Sequence, residues 1–293
     1  MTMKTIRIIT ILLILSVALC VNAKKKPEYP RAEIKVSYNY HYQALRHDGE
    51  AVTNDHDYLL LANSDYSKYY NYNNEYLDSL NSTPQGRKVH DNLITIGIDK
   101  ALKDGDYSAI PHYKGALYVF KSLQNRTTTV YDKYGLGEYG RYDEPFTEFV
   151  WSISDSTKNV LGYDCFMAET DYHGRHWTVW FTPEIPLQDG PWKLCGLPGL
   201  ILEATDSTDQ HSFIATGVEN SNQEIYPIYE PRKYDKMKRI DMLKAYSDYQ
   251  KNAGATSRIL IMDTPDGSKV NMDAPKQQKA NSQNIDFLET DYH

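Results

Sequence analysis

The stretch Pro191–Asp206, PWKLCGLPGLILEATD, runs from a glycine-rich segment directly into an apolar one, and it guides the interpretation of the whole chain. A proline followed by a glycine is typical of a type II turn, so Leu197–Gly199 is predicted to turn the chain, with a positive φ at Gly199. Leucine and alanine then alternate from Leu200, as on a strand with a buried face. The turn motif comprises Gly196, Leu197, Pro198, Gly199, Leu200 and Ile201.

A glycine-rich loop can also hold an anion or an oxyanion with its free N–H groups. The hexapeptide contains no nucleophile, and each of its residues already has a structural task. We therefore interpret Gly196–Ile201 as a turn between buried strands.

On both sides of this stretch, most of the sequence has the pattern of β-strands. AEIKVSYNYHY, residues 32–42, alternates apolar or aromatic with polar residues without a break. Short segments rich in aromatic and β-branched residues follow, each bounded by turn residues. They are YKGALYVF, RTTTVY, EFVWSI, DCFMAET, HWTVWF, GLILEA and SFIATGV. The pattern predicts a mainly β (α+β) fold, a curved antiparallel sheet or half-barrel.

Two regions depart from the strand pattern. The polar, tyrosine-rich region of about 66–106 is predicted to be a helix-rich insertion, helical from about residue 82 to 103. In about 232–250, apolar residues recur every three positions, which predicts one amphipathic C-terminal helix. RILIMDTPDGSKV, residues 258–270, suggests a last hairpin, and the polar tail at 274–284 is expected to be loose.

Residues 1–23 have the pattern of a secretory signal: two basic residues, an apolar run and small residues before Ala23. We expect cleavage at about Ala23, and a single domain over 24–293 that is soluble in the periplasm or cell envelope. The remaining chain has 30 basic and 39 acidic side chains, a net charge of −9. This charge argues against a nucleic-acid partner, and no later apolar run reaches membrane length.

Cleavage would remove Cys20 and leave Cys165 and Cys195. An even pair in an oxidising compartment predicts one disulfide, which would stabilise the fold by roughly 3–4 kcal/mol. The alternative of a redox thiol pair lacks the usual Cys-x-x-Cys spacing.

The segment from GYDCFMAETDYHGRHW to PWKLCGLPGLILEATD resembles the GLPGLI family, secreted bacterial proteins named for this hexapeptide. GRHWTVWFTPEIP, GPWKLCG and WSISDSTKNVLGYDC also resemble family motifs, and weaker likeness extends from IKVSYNY to NIDFLETDY. The resemblance implies a secreted protein, and it implies no particular reaction.

His173 and His176 in DYHGRHW are the best candidates for metal ligands. The Tyr-His-Gly-Arg run between two strand-like segments is also typical of an exposed hairpin tip, which we favour. We therefore predict no metal and no cofactor. Glu184, Asp189 and Glu203 could supply an acid/base pair, but surface carboxylates are common in so acidic a chain.

The chain contains 25 tyrosines, and tyrosine suits both half-buried strands and ligand contacts. The residues that we assign to possible ligand contact are Tyr66, Tyr69, Tyr70, Tyr72, Trp151, Trp177 and Trp180. Two functions remain open. One is a non-catalytic envelope protein that binds an apolar or peptide-like ligand or another envelope protein. The other is a hydrolase or metal-binding enzyme that uses histidines and carboxylates.

Overall fold

The computed structural model describes residues 28–45, 51–113, 117–146, 149–229, 233–253, 260–263, 269–272 and 287–292. The chain divides into two units, residues 1–30 and Arg31–His293, and the fold below is that of the second. The strands are β1 (Ile34–Leu45), β2 (Ala51–Ala62), β3 (Tyr66–Asn71), β4 (Tyr118–Ser122), β5 (Thr127–Gly135), β6 (Glu138–Pro145), β7 (Ser152–Val160), β8 (Tyr163–Tyr172), β9 (Arg175–Thr182), β10 (Leu200–Asp206), β11 (His211–Asn220), β12 (Asp235–Lys236), β13 (Leu260–Asp263) and β14 (Lys269–Met272). The helices are α1 (Tyr72–Asn81), α2 (Pro84–Asp104) and α3 (Arg239–Ala253), with a 3₁₀ turn at Tyr107–Ala109.

Twelve strands form one sheet in the order β12-β6-β5-β4-β3-β2-β1-β11-β10-β9-β8-β7. Neighbouring strands are antiparallel, except that β12 pairs parallel with β6. The predicted mainly β fold is confirmed, and β13 and β14 form the predicted last hairpin.

The sheet is open, because its end strands β12 and β7 do not pair with each other in the described part of the chain. Eight strands lie between β6 and β8, which would hold them about 40 Å apart in a flat sheet. Glu144 of β6 nevertheless lies 3.8 Å from His173, which joins β8 to β9. The two ends of the sheet therefore bend towards each other without closing into a barrel.

The middle of the sheet is buried on both faces. Leu60 and Tyr69 belong to the larger hydrophobic cluster, whereas their neighbours Leu61 and Tyr70 belong to a smaller one. Because successive side chains of a strand point to opposite faces, the two clusters lie on the two sides of β2 and β3. We call the side of Leu60 and Tyr69 the core face. On the other side, α1 packs against the sheet, where Tyr118 Oη donates to Asp78 at 2.5 Å.

Two predicted boundaries were wrong. The predicted helix-rich insertion of about 66–106 does contain α1 and α2, but it begins with β3, which pairs with both β2 and β4. Because β3 is buried on both faces, its sequence does not alternate. The C-terminal helix begins at Arg239 rather than near 232, since Asp235–Lys236 pairs with β6. The predicted helix at 82–103 is present as α2, which Thr83 caps at its start and Gly105 at its end. The signal segment and the polar tail at 274–284 lie outside the described residues.

Candidate functional site: an aromatic cleft beside an ionic cluster

The hexapeptide turns the chain in a different way from the predicted type II turn. The positive φ, 91°, occurs at Gly196 and not at Gly199. The N–H of Gly199 donates to the carbonyl of Leu197 at 2.8 Å, which makes a three-residue turn around Pro198. Gly199 is required for another reason, because a Cβ there would lie 2.1 Å from the carbonyl oxygen of Thr182.

The hexapeptide lies at the end of the long loop that joins β9 to β10, residues 183–199. This loop packs on the core face of the sheet. Trp192, Leu194 and Leu197 of this loop are almost completely buried, and Leu200 and Leu202 beyond it are fully buried. This burial agrees with a structural role for the hexapeptide.

A fully buried ion pair anchors the 183–199 loop to the sheet. Lys121 of β4 and Asp189 of the loop are in direct contact, and neither side chain is accessible to solvent. Lys121 Nζ also donates to the carbonyl of Gly190 at 2.8 Å. Because a buried charge without a partner is very unfavourable, the pair fixes the position of the loop on the sheet.

The predicted Cys165–Cys195 disulfide is not present: both cysteines are free and buried. Their surroundings differ, since Lys158 and Glu203 influence the Cys165 thiol, whereas Lys121 and Asp189 influence Cys195. Burial raises the pKa of Cys165 to about 11 and that of Cys195 to about 12. Neither thiol therefore ionises near neutral pH, so neither has the thiolate that nucleophilic catalysis requires.

The predicted hairpin tip is present, and its two histidines lie in different environments. His173 and Gly174 have φ of 51° and 80°, as in a type I′ turn. His176 is exposed, with 45% of its side chain accessible, and lies 2.8 Å from Asp171. The prediction that His173 is exposed was wrong, because only 9% of its side chain is accessible. The C-terminal segment covers the turn, where the N–H of Thr290 donates to the carbonyl of His173 at 3.0 Å.

Ionisable side chains from five parts of the chain meet beside this turn, and we call them the ionic cluster. Lys193 Nζ lies 2.6 Å from Glu144 Oε1 and 2.7 Å from Glu289 Oε1. Arg239 Nε donates to Glu289 Oε2 at 2.6 Å. The members of the ionic cluster are Glu144, His173, Lys193, Arg239, Glu289 and Asp291.

A second anchor lies next to the ionic cluster. Arg175 Nε donates to the carbonyls of Phe287 and Leu288 at 3.1 Å each, and its Nη1 donates to Asp206 at 2.7 Å. Together with the ionic cluster, Arg175 fixes residues 287–292 against the hairpin tip.

Three members of the ionic cluster, His173, Glu289 and Asp291, place possible metal-ligand atoms within 4.8 Å of one another. The arrangement does not suit a metal ion, because Arg239 contacts both carboxylates. Lys193 Nζ also lies 3.5 Å from His173 Nε2. These cations would repel a metal and already use the carboxylate oxygens. We therefore assign the ionic cluster a structural role.

Acid should weaken the ionic cluster. Burial opposes ionisation of Glu144, but the hydrogen bond with His173 and the charge of Lys193 outweigh it and lower its pKa from 4.5 to about 2. The pKa values of Glu289 and Asp291 are also lowered. A lowered folded-state pKa stabilises the protein above the unfolded pKa, and this contribution is lost as pH falls through the folded pKa. The free energy of unfolding should therefore fall between about pH 4.5 and pH 2, by up to about 1.4 kcal/mol per pH unit from Glu144.

Urea unfolding at several pH values measures this slope. Arg239→Met should flatten it, because the variant removes one cation that favours the ionised carboxylates. Lys103→Met, which removes an exposed partner of Asp99, serves as the matched control and should keep the parent slope. An Arg239→Met variant with the same acid slope as the parent would contradict the prediction.

A row of aromatic rings crosses the core face of the sheet. The ring centroids of Trp192 and Phe213 lie 6.5 Å apart, those of Phe213 and Tyr40 4.7 Å, and those of Tyr40 and Tyr42 5.2 Å. The rings are nearly parallel, with interplanar angles of 13°, 15° and 23° along the row. Trp192 and Phe213 are buried, whereas Tyr40 and Tyr42 keep accessible surface. The row therefore opens to solvent at its tyrosine end.

The open end of this row forms one wall of what we call the aromatic cleft. Tyr58 stands nearly perpendicular to Tyr40, with centroids 6.0 Å apart, and His56 stands nearly perpendicular to Tyr42 at 5.4 Å. Tyr246 of α3 lies near enough to raise the pKa of Tyr40 and Tyr58 further, although burial is the main cause. The aromatic cleft comprises Tyr40, Tyr42, His56, Tyr58 and Tyr246.

Asp132 is a carboxylate of β5 that lies beside α3. It lies two residues beyond Val130 on β5, so its side chain points to the same core face. It pairs across the ladder with Gly140, which Met242 of α3 approaches closely. Burial raises the pKa of Asp132 to about 7, yet the residue keeps accessible surface.

The aromatic residues singled out from the sequence do not form one site. Tyr69, Tyr70 and Trp177 are buried in the core. Trp151 Nε1 donates to the carbonyl of Cys195 at 3.1 Å. Trp180 points away from Trp177, with Lys158 Nζ 4.5 Å from its ring centroid. Tyr66 is half-buried on β3, and Tyr72 is 60% exposed at the start of α1.

The three candidate carboxylates each have a separate partner. Glu184 accepts a hydrogen bond from the N–H of Asp164 at 2.8 Å. Asp189 pairs with Lys121, and Glu203 contacts Lys158. Their arrangement does not resemble the pair of facing carboxyl groups that a glycosidase uses.

Comparison with known proteins gives little information about function. The model of a family described as "Protein of unknown function (Porph_ging)" matches residues 172–203, from the hairpin tip to β10. This stretch is too short to assign the chain to that family, and the GLPGLI likeness remains a resemblance. No curated protein matches the chain.

Among solved structures, two of PNGF-II, in space groups C2 and P21, give TM-scores of 0.48 with 12% and 13% identity. They cover 75% and 74% of this chain, which spans only about a third of their length (34% and 33%). A domain from Vibrio parahaemolyticus, described as an outer membrane lipoprotein-sorting protein domain, gives a TM-score of 0.20 with 10% identity, covering 70% of this chain and 91% of its own. Similarities this weak carry no functional argument. Within the described residues, no helix has both the length and the apolar character needed to cross a membrane.

Proposed function

We propose that this chain is a non-catalytic protein of the cell envelope that binds an apolar or peptide-like ligand in the aromatic cleft. The observation that carries the proposal is the open end of the aromatic row, where the stacked rings of Tyr40 and Tyr42 keep accessible surface. Such rings bury a large area on binding, and their hydroxyl groups can still form hydrogen bonds. The envelope location rests on the signal pattern of residues 1–23.

The chemistry of the other candidate groups supports binding rather than catalysis. The two thiols are held protonated by burial. The buried carboxylates Asp189 and Glu289 are neutralised by lysine partners. A ligand site in the aromatic cleft needs none of these groups.

Tyr42→Ala should weaken binding of the neutral fluorescent probe N-phenyl-1-naphthylamine by about tenfold, since it removes one stacked ring from the cleft. Fluorescence titration of the full chain measures the affinity. Tyr72→Ala is the matched control, because Tyr72 is exposed on α1 and should not alter the titration. Melting temperatures of both variants should stay close to that of the parent.

Binding of the probe that is unchanged by Tyr42→Ala would place the site elsewhere and overturn the proposal. Native mass spectrometry of the purified chain provides a second readout, in which a copurified small molecule should be lost from Tyr42→Ala and kept by Tyr72→Ala.

A further inference from the structure

We infer that residues 287–292 occupy a peptide-recognition site of this protein, and that a separate acidic peptide can bind there in their place. We call these residues the tail segment, and the side chains of the hairpin tip, the 183–199 loop and α3 that hold it the tail site. The matching ligand is a short peptide with two carboxylates two positions apart and apolar residues beside them. The inference does not depend on ligand binding to Tyr40 and Tyr42, so it goes beyond the proposed function.

The backbone of the tail segment is held as the backbone of a bound peptide is held. The tail segment belongs to no named strand or helix, so its polar groups depend on the tail site. Arg175 Nε donates to the carbonyls of Phe287 and Leu288 at 3.1 Å each. The N–H of Thr290 donates to the carbonyl of His173 at 3.0 Å. Contacts to the backbone hold a peptide of any sequence, so selectivity comes from its side chains.

Two carboxylates of the tail segment bind to the cationic groups of the tail site. Glu289 lies 2.7 Å from Lys193 Nζ and accepts from Arg239 Nε at 2.6 Å. Asp291 lies 3.0 Å from His173 Nδ1 and also contacts Arg239. Hydrogen bonds between ionised groups are about twice as strong as those between neutral groups. The tail site therefore selects carboxylates at these two positions.

The apolar side chains of the tail segment provide a second element of recognition. Leu288 packs against the larger hydrophobic cluster, and Tyr292 is only 5% exposed. The ring of Phe287 stands edge-on to Tyr246 of α3, with centroids 5.5 Å apart. Burial of these side chains favours binding, so a competing peptide needs apolar residues next to its two carboxylates.

The cations of the tail site are positioned by groups outside the tail segment. Arg175 Nη1 donates to Asp206 of β10 at 2.7 Å. Lys193 Nζ lies 2.6 Å from Glu144 and donates to the hydroxyl of Tyr142 at 2.9 Å. These contacts remain when the tail segment leaves. A site that is already arranged loses less conformational entropy when a ligand binds.

The charge of the tail site favours an acidic ligand. Its ion pairs outside the tail segment involve three cations and two carboxylates: Arg175, Lys193, Arg239, Glu144 and Asp206. Without the tail segment, these groups carry an excess of positive charge, which Glu289 and Asp291 offset. A neutral peptide would leave buried positive charge without a full set of partners.

The test releases the tail segment and supplies the same sequence as a separate peptide. In the full chain, Glu289→Gln/Asp291→Asn removes both carboxylates, and Lys193 keeps Glu144 as its partner. The probe is the peptide of residues 284–293, NIDFLETDYH, with fluorescein at its N-terminus and an amidated C-terminus. In anisotropy titrations, the double variant should bind the probe at least about tenfold more tightly than the parent. The reason is that the tethered segment of the parent competes at a high effective concentration.

Two controls test what the site recognises. A probe peptide that carries Glu289→Gln and Asp291→Asn should bind the double variant at least about tenfold more weakly than the unchanged probe, because it lacks the charged hydrogen bonds. Glu219→Gln removes an exposed carboxylate of β11 from the full chain. This variant keeps its tail segment in place and should bind the probe as weakly as the parent.

The inference is overturned if the double variant does not bind the probe. It is also overturned if the parent binds as tightly as the double variant, since the peptide then binds elsewhere, or if the two peptides bind equally. Should the double variant not fold, hydrogen exchange of the parent decides. An excess of unlabelled NIDFLETDYH should speed exchange in residues 287–292 and leave β10 unchanged, whereas an unaltered rate in the tail segment would contradict the inference.

Discussion

Lys121→Met should destabilise the protein by about 3–5 kcal/mol, because it leaves Asp189 as an unpaired charge in a position that solvent does not reach. The methionine fills most of the volume of the lysine side chain, so the cost reflects the lost charge partner rather than a cavity. The N–H of Gly190, which donates to Asp189 Oδ1 at 2.8 Å, is too weak a partner to replace an ammonium group. Urea unfolding at neutral pH measures the change in the free energy of unfolding.

Two controls separate the buried charge from the loss of a lysine in general. Lys100→Met removes the partner of Asp106 in an exposed pair, and should leave the free energy of unfolding close to that of the parent. The double variant Lys121→Met/Asp189→Asn should recover most of the loss, because asparagine still accepts from Gly190 but carries no charge. If the double variant is as unstable as Lys121→Met alone, the buried pair is not what holds the 183–199 loop.

Gly199→Ala should cost about 3 kcal/mol, at the upper end of the range for an overpacked site. The added Cβ would lie 2.1 Å from the carbonyl oxygen of Thr182. This atom is backbone, and Thr182 pairs with Leu200 in the β9–β10 ladder. Neither strand can retreat without disturbing that pairing, so the substitution should lower the melting temperature whatever ligand is present.

Gly196→Ala is the matched comparison within the same hexapeptide. The nearest atoms to a Cβ at Gly196 are 3.8 Å away, and the substitution is strained only through the φ of 91°. It should therefore cost about 1 kcal/mol. The decisive result is which substitution lowers the free energy of unfolding more. A larger loss of stability from Gly196→Ala would mean that backbone conformation, and not the contact with Thr182, explains why the motif contains glycine.

Much of the fold was predictable where the signal is local. The alternation in β1 and the glycine between two strand-like segments at the hairpin tip both depend on residues next to each other in sequence. β3 was missed because a strand buried on both faces loses its alternation, and its tyrosines and asparagine resemble a polar loop. The type II turn was wrong because Leu-Pro-Gly is compatible with more than one turn, and the contact with Thr182 that selects among them comes from another strand.

The aromatic cleft was less predictable than the fold. Tyrosine composition indicated a contact surface, but it selected Tyr69 and Tyr70, which are buried, instead of Tyr40 and Tyr42. Accessibility depends on the bend of the sheet, which no local pattern encodes. In the ionic cluster, Lys193 contacts both Glu144 and Glu289, which are 145 positions apart in the sequence. The sequence indicates this cluster only through Lys193, which stands between Trp192 and Leu194. A charge in an apolar run is stable only when it has a partner.

The pairing of β1 with β11 has a consequence for how the chain folds as it is synthesised. Tyr38 of β1 pairs with Ala215 of β11. The first strand can pair with β2 early, but it gains β11 as its second neighbour only after most of the chain has been made. Lys193 has Glu144 as an earlier partner, but it gains its second carboxylate partner only when Glu289 has left the ribosome. Contacts between residues so far apart in sequence form slowly. The nascent chain therefore remains incompletely folded until Glu289 has emerged, and the native structure is completed only after that point.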